Sequence, residues 1–451
     1  MGARRGSLRR LDVVAGRAFP SLRAEVAANG QTLADLTDER IRGPATMSPP
    51  SWPWRSTRAR SRVASWRYTA AILAAVGLCL SPAAQARHHR SPTTLPSIAP
   101  TLPSIAQWHD LPPVSRGIGG YKFVASVDTM KLSKDQAQYG YTANDSQAVD
   151  LASTMAVTHI TVNTPMEYPA VLEAYANRIH ADGKSVWFRL SSTNGANLAH
   201  GDLGDGYPTY APGYLTELHE LMLAHPGIFR PGDILDGDAE AETSGWWAKQ
   251  YGCGVQSAGC TASVTAFNHF LTLMTEQEKI DLGSLACATA TSVGCVVTQV
   301  HSTDNGTGRY QLSNSTVEAM GDLITVDAYP DEGTTEPLAA ASAWQQELEA
   351  LKSFWAAKGI PNLTVLVGEW GYRNHYEVTD TLQQEVVDAE VTKAFPGLPY
   401  VAGMNYWAGP GFNIGGGYTQ LFNQVEGVWR FRPAAPIVSA FYLEMNRSHI
   451  L

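Results

Sequence analysis

The sequence lacks the spacings that build common metal and phosphate sites. Its 12 histidines include no H-x-H or H-E-x-x-H spacing, so a metal-dependent hydrolase has little to hold its ion. No glycine-rich loop follows the first strand-like segment, Tyr121–Thr129, which runs straight into Met130-Lys131-Leu132-Ser133. The phosphate cradle of a dinucleotide-binding sheet is therefore missing. Charged residues make up only 17% of the 451, and the net charge is −9. The basic share sits at the front: residues 1–86 hold 13 Arg and no Lys against 5 acidic residues, which leaves −17 for residues 87–451. A body that acidic does not suit nucleic acid or an anionic membrane surface, and it fits a neutral substrate. No metal and no cofactor is expected.

Long apolar runs are also scarce. The run Ala70–Leu80 follows Arg55, Arg58, Arg60, Arg62 and Arg67 and precedes Ala84-Gln85-Ala86. A basic flank, a short apolar stretch and a small-residue cleavage site make a secretory signal peptide, and the run is too short for a confident membrane span. An uncleaved anchor is the alternative. Met47 is the more ordinary initiator, so residues 1–46 read as an over-extended, disordered start and 47–86 as the signal region. Residues 87–116, with a doubled TLPSIA, read as a Pro/Ser/Thr-rich linker, which suggests a tethered monomer. The expected location is secreted, periplasmic or cell-surface. Of 5 cysteines, Cys79 leaves with the signal. Cys253, Cys260, Cys287 and Cys295 remain, an even number that favours disulfides in an exported chain. The local pairs Cys253–Cys260 and Cys287–Cys295 are expected among three connectivities, with zinc the weaker reading.

From Gly117 the pattern becomes strands alternating with helices. The expected strands are Tyr121–Thr129, Val157–Asn163, Ser185–Leu190, Asp233–Glu242, Cys295–His301, Leu323–Tyr329, Leu363–Glu369 and Tyr400–Trp407. Each is followed by a helical stretch, the longest being Leu338–Lys358, stopped by Gly359 and Pro361. Eight such units over residues 117–451 are what an α/β fold of the (β/α)8 TIM-barrel type requires, in a single catalytic domain. A doubly wound open sheet is the runner-up.

A barrel gathers the C-terminal ends of its strands around one mouth. Those ends carry Asp128, Asn163, Arg189, an acidic cluster from Asp236 to Glu242, Gln299, His301, Asp327, Tyr329, Glu369, Asn405 and Trp407. Strand alternation would put Asp236, Asp238, Glu240 and Glu242 on one face. Carboxylates on the fourth and seventh strands would then oppose each other, as glycoside hydrolysis requires of its proton donor and its nucleophile. Arg189 reads equally as a substrate ligand or as the ion-pair partner of a mouth carboxylate. Trp246, Trp247, Tyr251, Trp370, Tyr372, Trp407 and Phe412 offer faces for sugar rings, while about half of such aromatics, Trp429 included, are expected to anchor loops. Gly409–Gly417 reads as a flexible loop over the mouth.

With these residues in place, the chain resembles the clan of retaining (β/α)8-barrel glycosidases, which carry an acid/base Glu on strand four and a nucleophile Glu on strand seven (clan A type). The resemblance implies a secreted hydrolase of a β-linked oligo- or polysaccharide. It implies Glu369, in Val367-Gly368-Glu369-Trp370-Gly371, as nucleophile, with Tyr329 bonded to it and Trp407 as sugar platform. Strand four departs from the clan, since Ala239 and Ala241 stand where an Asn precedes the acid/base. Glu240 and Glu242 both stay open for that role. The alternative function is a carbohydrate-binding or cell-wall protein on the same barrel with degraded catalysis.

Overall fold

In the computed structural model, the described residues are 115–190, 211–237, 241–243, 245–255, 257, 259–284, 291–297, 312–329, 334–372, 379–411 and 419–447. Eight parallel strands close on themselves: β1 Val124–Asp128, β2 His159–Val162, β3 Ser185–Arg189, β4 Ile234–Asp236, β5 Thr291–Val297, β6 Leu323–Asp327, β7 Thr364–Trp370 and β8 Val401–Tyr406. The seam pairs β8 with β1, setting Val124 beside Gly403 and Ser126 beside Asn405. The expected TIM barrel is the observed fold.

Around the strands lie helices α1 Met130–Ser133, α2 Ala143–Ser153, α3 Pro169–Ala181, α4 Ala211–Ala224, α5 Gly245–Tyr251, α6 Thr261–Ser284, α7 Asn314–Met320, α8 Pro337–Ala357, α9 Asp380–Ala389 and α10 Ala435–Arg447. Their ends follow local chemistry. Thr142 caps α2 in a reciprocal box with Asp145. Gly183 and Gly359 stop α3 and α8 with φ of 71° and 94°, a backbone state that costs a glycine nothing. Among the described residues no helix is long and apolar enough to cross a membrane.

The main apolar core lies between barrel and helices and includes Val127, Ile160, Val186, Leu235, Val326, Val365 and Val367 from the outward faces of the strands. The barrel interior is layered. Its floor is apolar, with Val124, Trp187, Ile234, Leu323, Leu366 and Ala402 packed over Ile118. Above the floor it turns polar: Ser126 meets Thr161 at 2.8 Å, Thr161 donates to Asn405 Oδ1 at 2.8 Å, and Thr325 donates to Asp236 Oδ1 at 2.8 Å. Gly403 is bare at the seam because a Cβ there would stand 2.4 Å from Val124 Cβ and 2.8 Å from Leu366 Cδ2.

Three expectations need correction. β4 stops at Asp236, and Ala241–Thr243 is a 3₁₀ turn, so strand alternation does not carry from Asp236 to Glu242. The segment is acidic with small Gly and Ala residues rather than β-branched ones, and Trp247 Nε1 donates to Ala241 O at 2.6 Å, pinning the turn onto α5. β5 begins at Thr291 rather than Cys295, and the expected stretch 298–301 lies outside the described residues. The sequence reads as one helix from Thr381 to Ala394, but the ninth helix ends at Ala389 and Glu390–Ala394 is a π turn.

After β8 the chain adds a small sheet of β9 Pro410–Gly411, β10 Phe422–Val425 and β11 Val428–Phe431, which the sequence did not announce. Gly409 is held rather than flexible: its N–H donates to Asp128 O at 2.8 Å, and its carbonyl accepts from Leu421 and Phe422. Residues 412–417 of the glycine-rich run lie outside the described residues. A disulfide joins Cys253 and Cys260, with Cα atoms 6.0 Å apart. The expected Cys287–Cys295 pair lies outside the residues whose side chains are described.

Candidate active site

At the C-terminal rim of the barrel, one guanidinium organises the carboxylates. Arg189, at the end of β3 and fully buried, uses all five N–H groups. Nε donates to Asp236 Oδ2 at 3.2 Å. Nη1 donates to Glu369 Oε1 at 2.7 Å and to Gly368 O at 3.2 Å. Nη2 donates to both oxygens of Asp327 at 2.8 Å. The planar fork of arginine suits such shared carboxylate binding better than a lysine ammonium would. Of the two readings open for Arg189, the ion pair is the observed one.

Glu369 reaches this cluster because β7 carries a bulge. Alternation from Leu366, which faces the interior, would turn Gly368 inward and Glu369 outward. The β6–β7 register shifts between Val326 and Asp327, pairing Val326 with Val367 but Asp327 with Glu369. Gly368 is the extra residue, and a bulge re-aims the side chain that follows it. A Cβ on Gly368 would lie 2.7 Å from Asp327 Oδ1 and 3.4 Å from Arg189 Cζ, so only glycine fits. Glu369 is 4% exposed. Its second oxygen, Oε2, accepts from the Tyr329 hydroxyl at 2.6 Å, the partner that the resemblance implies.

Beside Glu369 lies a second carboxylate, Asp128 at the end of β1. Both its oxygens accept from Asn163 Nδ2 (3.0 and 3.1 Å), Oδ2 also accepts from Asn405 Nδ2 (3.1 Å), and Oδ1 also accepts from the Met130 N–H. Burial, and next the negative charge of Glu369, push the Asp128 carboxyl up to about 6, against the opposing pull of Arg189 and the N–H donors. At the rim, Trp407 is half-buried, set edge-on to Tyr329 with ring centroids 6.2 Å apart, and the Lys131 ammonium stands 5.5 Å from the Trp407 ring centre.

The structure thus brings together Asp128, Asn163, Arg189, Asp327, Tyr329, Glu369, Asn405 and Trp407. Asp238, Glu240, Gln299 and His301 lie outside the described residues. Glu242 is half-buried in the 3₁₀ turn beyond β4. Trp370 is a correction to the expected substrate contacts. The bulge turns it outward, where it is fully buried, donates Nε1 to Tyr442 Oη at 3.2 Å and packs on Tyr406 at 5.0 Å. Trp247 and Tyr372 are likewise buried anchors, the latter donating to Thr334 O at 2.6 Å. Trp429 lies on β11 rather than in a loop and ties the small sheet to the start of α2, donating to Asn144 O at 3.2 Å and Asn144 Oδ1 at 3.1 Å. Asp236, Thr325 and Trp187, whose Nε1 donates to Asp236 Oδ2 at 3.2 Å, complete the support beneath Arg189 and were not singled out for it. The signal was available for Thr325: it shares the period-2 face of Leu323 and Asp327. Among the described residues no three His, Cys, Asp or Glu side chains group as metal ligands would.

Neither a family model nor a curated protein matches this chain. Solved structures do show similarity. One is a GH5-4 broad specificity endoglucanase from Clostridum cellulovorans, at 12% identity over 76% of this chain and 96% of that one, TM-score 0.44. Another is xylanase 10B from Thermotoga petrophila RKU-1 in complex with xylobiose, at 12% identity over 76% and 97%, TM-score 0.44. A third is the GH1 beta-glucosidase from Exiguobacterium antarcticum B7, at 12% identity over 70% and 96%, TM-score 0.48. Similarity this remote leaves the activity to be argued from the chain's own side chains.

Proposed function

We propose that the chain is a secreted glycoside hydrolase that cleaves a β-linked glycan with retention of configuration. The observation that carries this reading is Glu369. It is a buried carboxylate at the end of β7, aimed into the mouth by a bulge, with Arg189 on one oxygen and the Tyr329 hydroxyl on the other. Two such donors fix the orientation of a carboxylate and suit its negative charge.

In the first step a carboxylic acid from the segment after β4, Glu240 or Glu242, gives its proton to the glycosidic oxygen. The C1–O bond breaks as a Glu369 oxygen bonds to C1, so the leaving sugar departs as an alcohol. In the second step the same group, now a carboxylate, takes a proton from water. The water oxygen bonds to C1, and the bond to Glu369 breaks. Arg189 and Tyr329 hold Glu369 through both steps, and Trp407 offers a face for the sugar ring. The substrate is an oligo- or polysaccharide, and the enzyme acts as a monomer.

The test is incubation of the purified protein with aryl β-glycosides and 2-fluoro-glycoside inactivators, followed by peptide mass spectrometry. A glycosyl adduct on Glu369, with Glu369→Gln inactive, is the expected result. A folded protein that binds glycans but neither turns over nor labels would make it a binding barrel instead.

A further inference from the structure

We propose that Asp128 is a positioning residue for the strand-seven carboxylate, acting through Asn405. The inference rests on the glycosidase reading for its catalytic readout, but the geometry stands on its own. Asp128 carries four N–H contacts from three groups, which leaves it no free face for a ligand. One of those donors, Asn405 Nδ2, also donates to the Gly368 carbonyl at 2.7 Å, while Asn405 Oδ1 accepts from Thr161 at 2.8 Å. The amide is held from both ends and cannot flip without losing its bonds to Asp128 and to the Gly368 carbonyl. Gly368 is the bulge residue that aims Glu369, and its carbonyl also takes Arg189 Nη1. The bulge is thus clamped on its carbonyl by two donors, one of them oriented by Asp128.

The charged groups that reach Asp128 are Glu369 from β7 and Arg189 from β3; β2 and β8 present neutral amides. When Asp128 takes a proton, one oxygen becomes a donor and faces amide N–H groups that are donors too. With the proton on Oδ2, the oxygen that Asn405 Nδ2 holds, Asn405 must turn and the clamp on Gly368 loosens. Asp128→Asn imposes the same conflict permanently. A displacement of about 1 Å at a reacting group costs on the order of 100-fold in rate.

The experiment uses the full chain. Asp128→Asn and Asn405→Ala should each lower kcat on an aryl β-glycoside about 10–100-fold with KM within about twofold. The double variant should be no slower than the worse single one, because the two act in series. In the wild-type protein the Asn163 and Asn405 side-chain amide NMR signals should titrate together, with an inflection near the Asp128 value of about 6. Additive losses in the double variant, or an Asp128→Asn that melts earlier but keeps kcat and the pH profile, would overturn the proposal. The amide titration needs no variant to fold, and amides that ignore pH across that range would also overturn it. Absence of turnover in the wild type, with the amides still titrating, would mark failure of the glycosidase reading and not of the Asp128–Asn405 coupling.

Discussion

Replacing Glu390 with Met should make the protein more stable at neutral pH and flatten its pH dependence. Glu390 opens the π turn after α9 and is fully buried, and neither carboxylate oxygen has a hydrogen-bond partner among the described residues. Burial alone pushes its carboxyl up to about 8 from the usual 4.5. The sign follows from the two states: the folded chain holds the proton up to about pH 8, whereas the unfolded chain releases it near 4.5. The contribution is therefore fully present below pH 4.5 and is lost as pH rises through 8. One pKa unit corresponds to about 1.4 kcal/mol, so the loss is about 3 kcal/mol at pH 7 and about 5 kcal/mol at higher pH. Urea unfolding of wild type and Glu390→Met at pH 5, 6, 7 and 8 reads this directly. The two curves should diverge by about 1.4 kcal/mol per pH unit between pH 5 and 7. Parallel curves would refute the reasoning, because the Asp128 contribution, lost between about pH 4 and 6, is common to both proteins and cancels.

Two further outcomes follow from the site and the seam. Tyr329→Phe removes the hydroxyl on Glu369 Oε2 and should lower kcat about 10–100-fold on an activated aryl glycoside, with melting temperature nearly unchanged. Gly403→Ala forces a methyl to within 2.4 Å of Val124 Cβ and 2.7 Å of its carbonyl, and should cost about 3 kcal/mol in urea unfolding.

The barrel was legible because each strand is a short apolar run with a polar end, and each following helix carries its own stop signal, such as Gly183 or Gly359. The mouth residues were legible for the same reason: eight strand ends must meet. What escaped was set by contacts between strands rather than by pattern along one. Glu369 was placed at the mouth by its strand end, but plain alternation would have turned it outward, and only the bulge at Gly368 brings it in. The same bulge sends Trp370 away from the mouth, so an aromatic beside the mouth carboxylate proved to be core. Strand four was overextended because an acidic i, i+2 series mimics alternation without the β-branched residues that sustain a strand. The β10–β11 hairpin turns through Glu426 and Gly427, both at positive φ. Glu-Gly lacks the Asn-Gly or Asp-Gly signature that marks such turns in a sequence.

The wiring of Arg189 has an evolutionary consequence. This one side chain ties β3 to the ends of β4, β6 and β7, so it braces the barrel's upper rim as well as its chemistry. Removing it would strand three buried carboxylates, a loss of several kcal/mol that few domains survive. Selection on folding alone would preserve the ion cluster, even in a descendant whose mouth did no chemistry. Substitutions that retune activity are therefore expected to accumulate at Tyr329, Trp407 and the segment beyond β4, outside the brace.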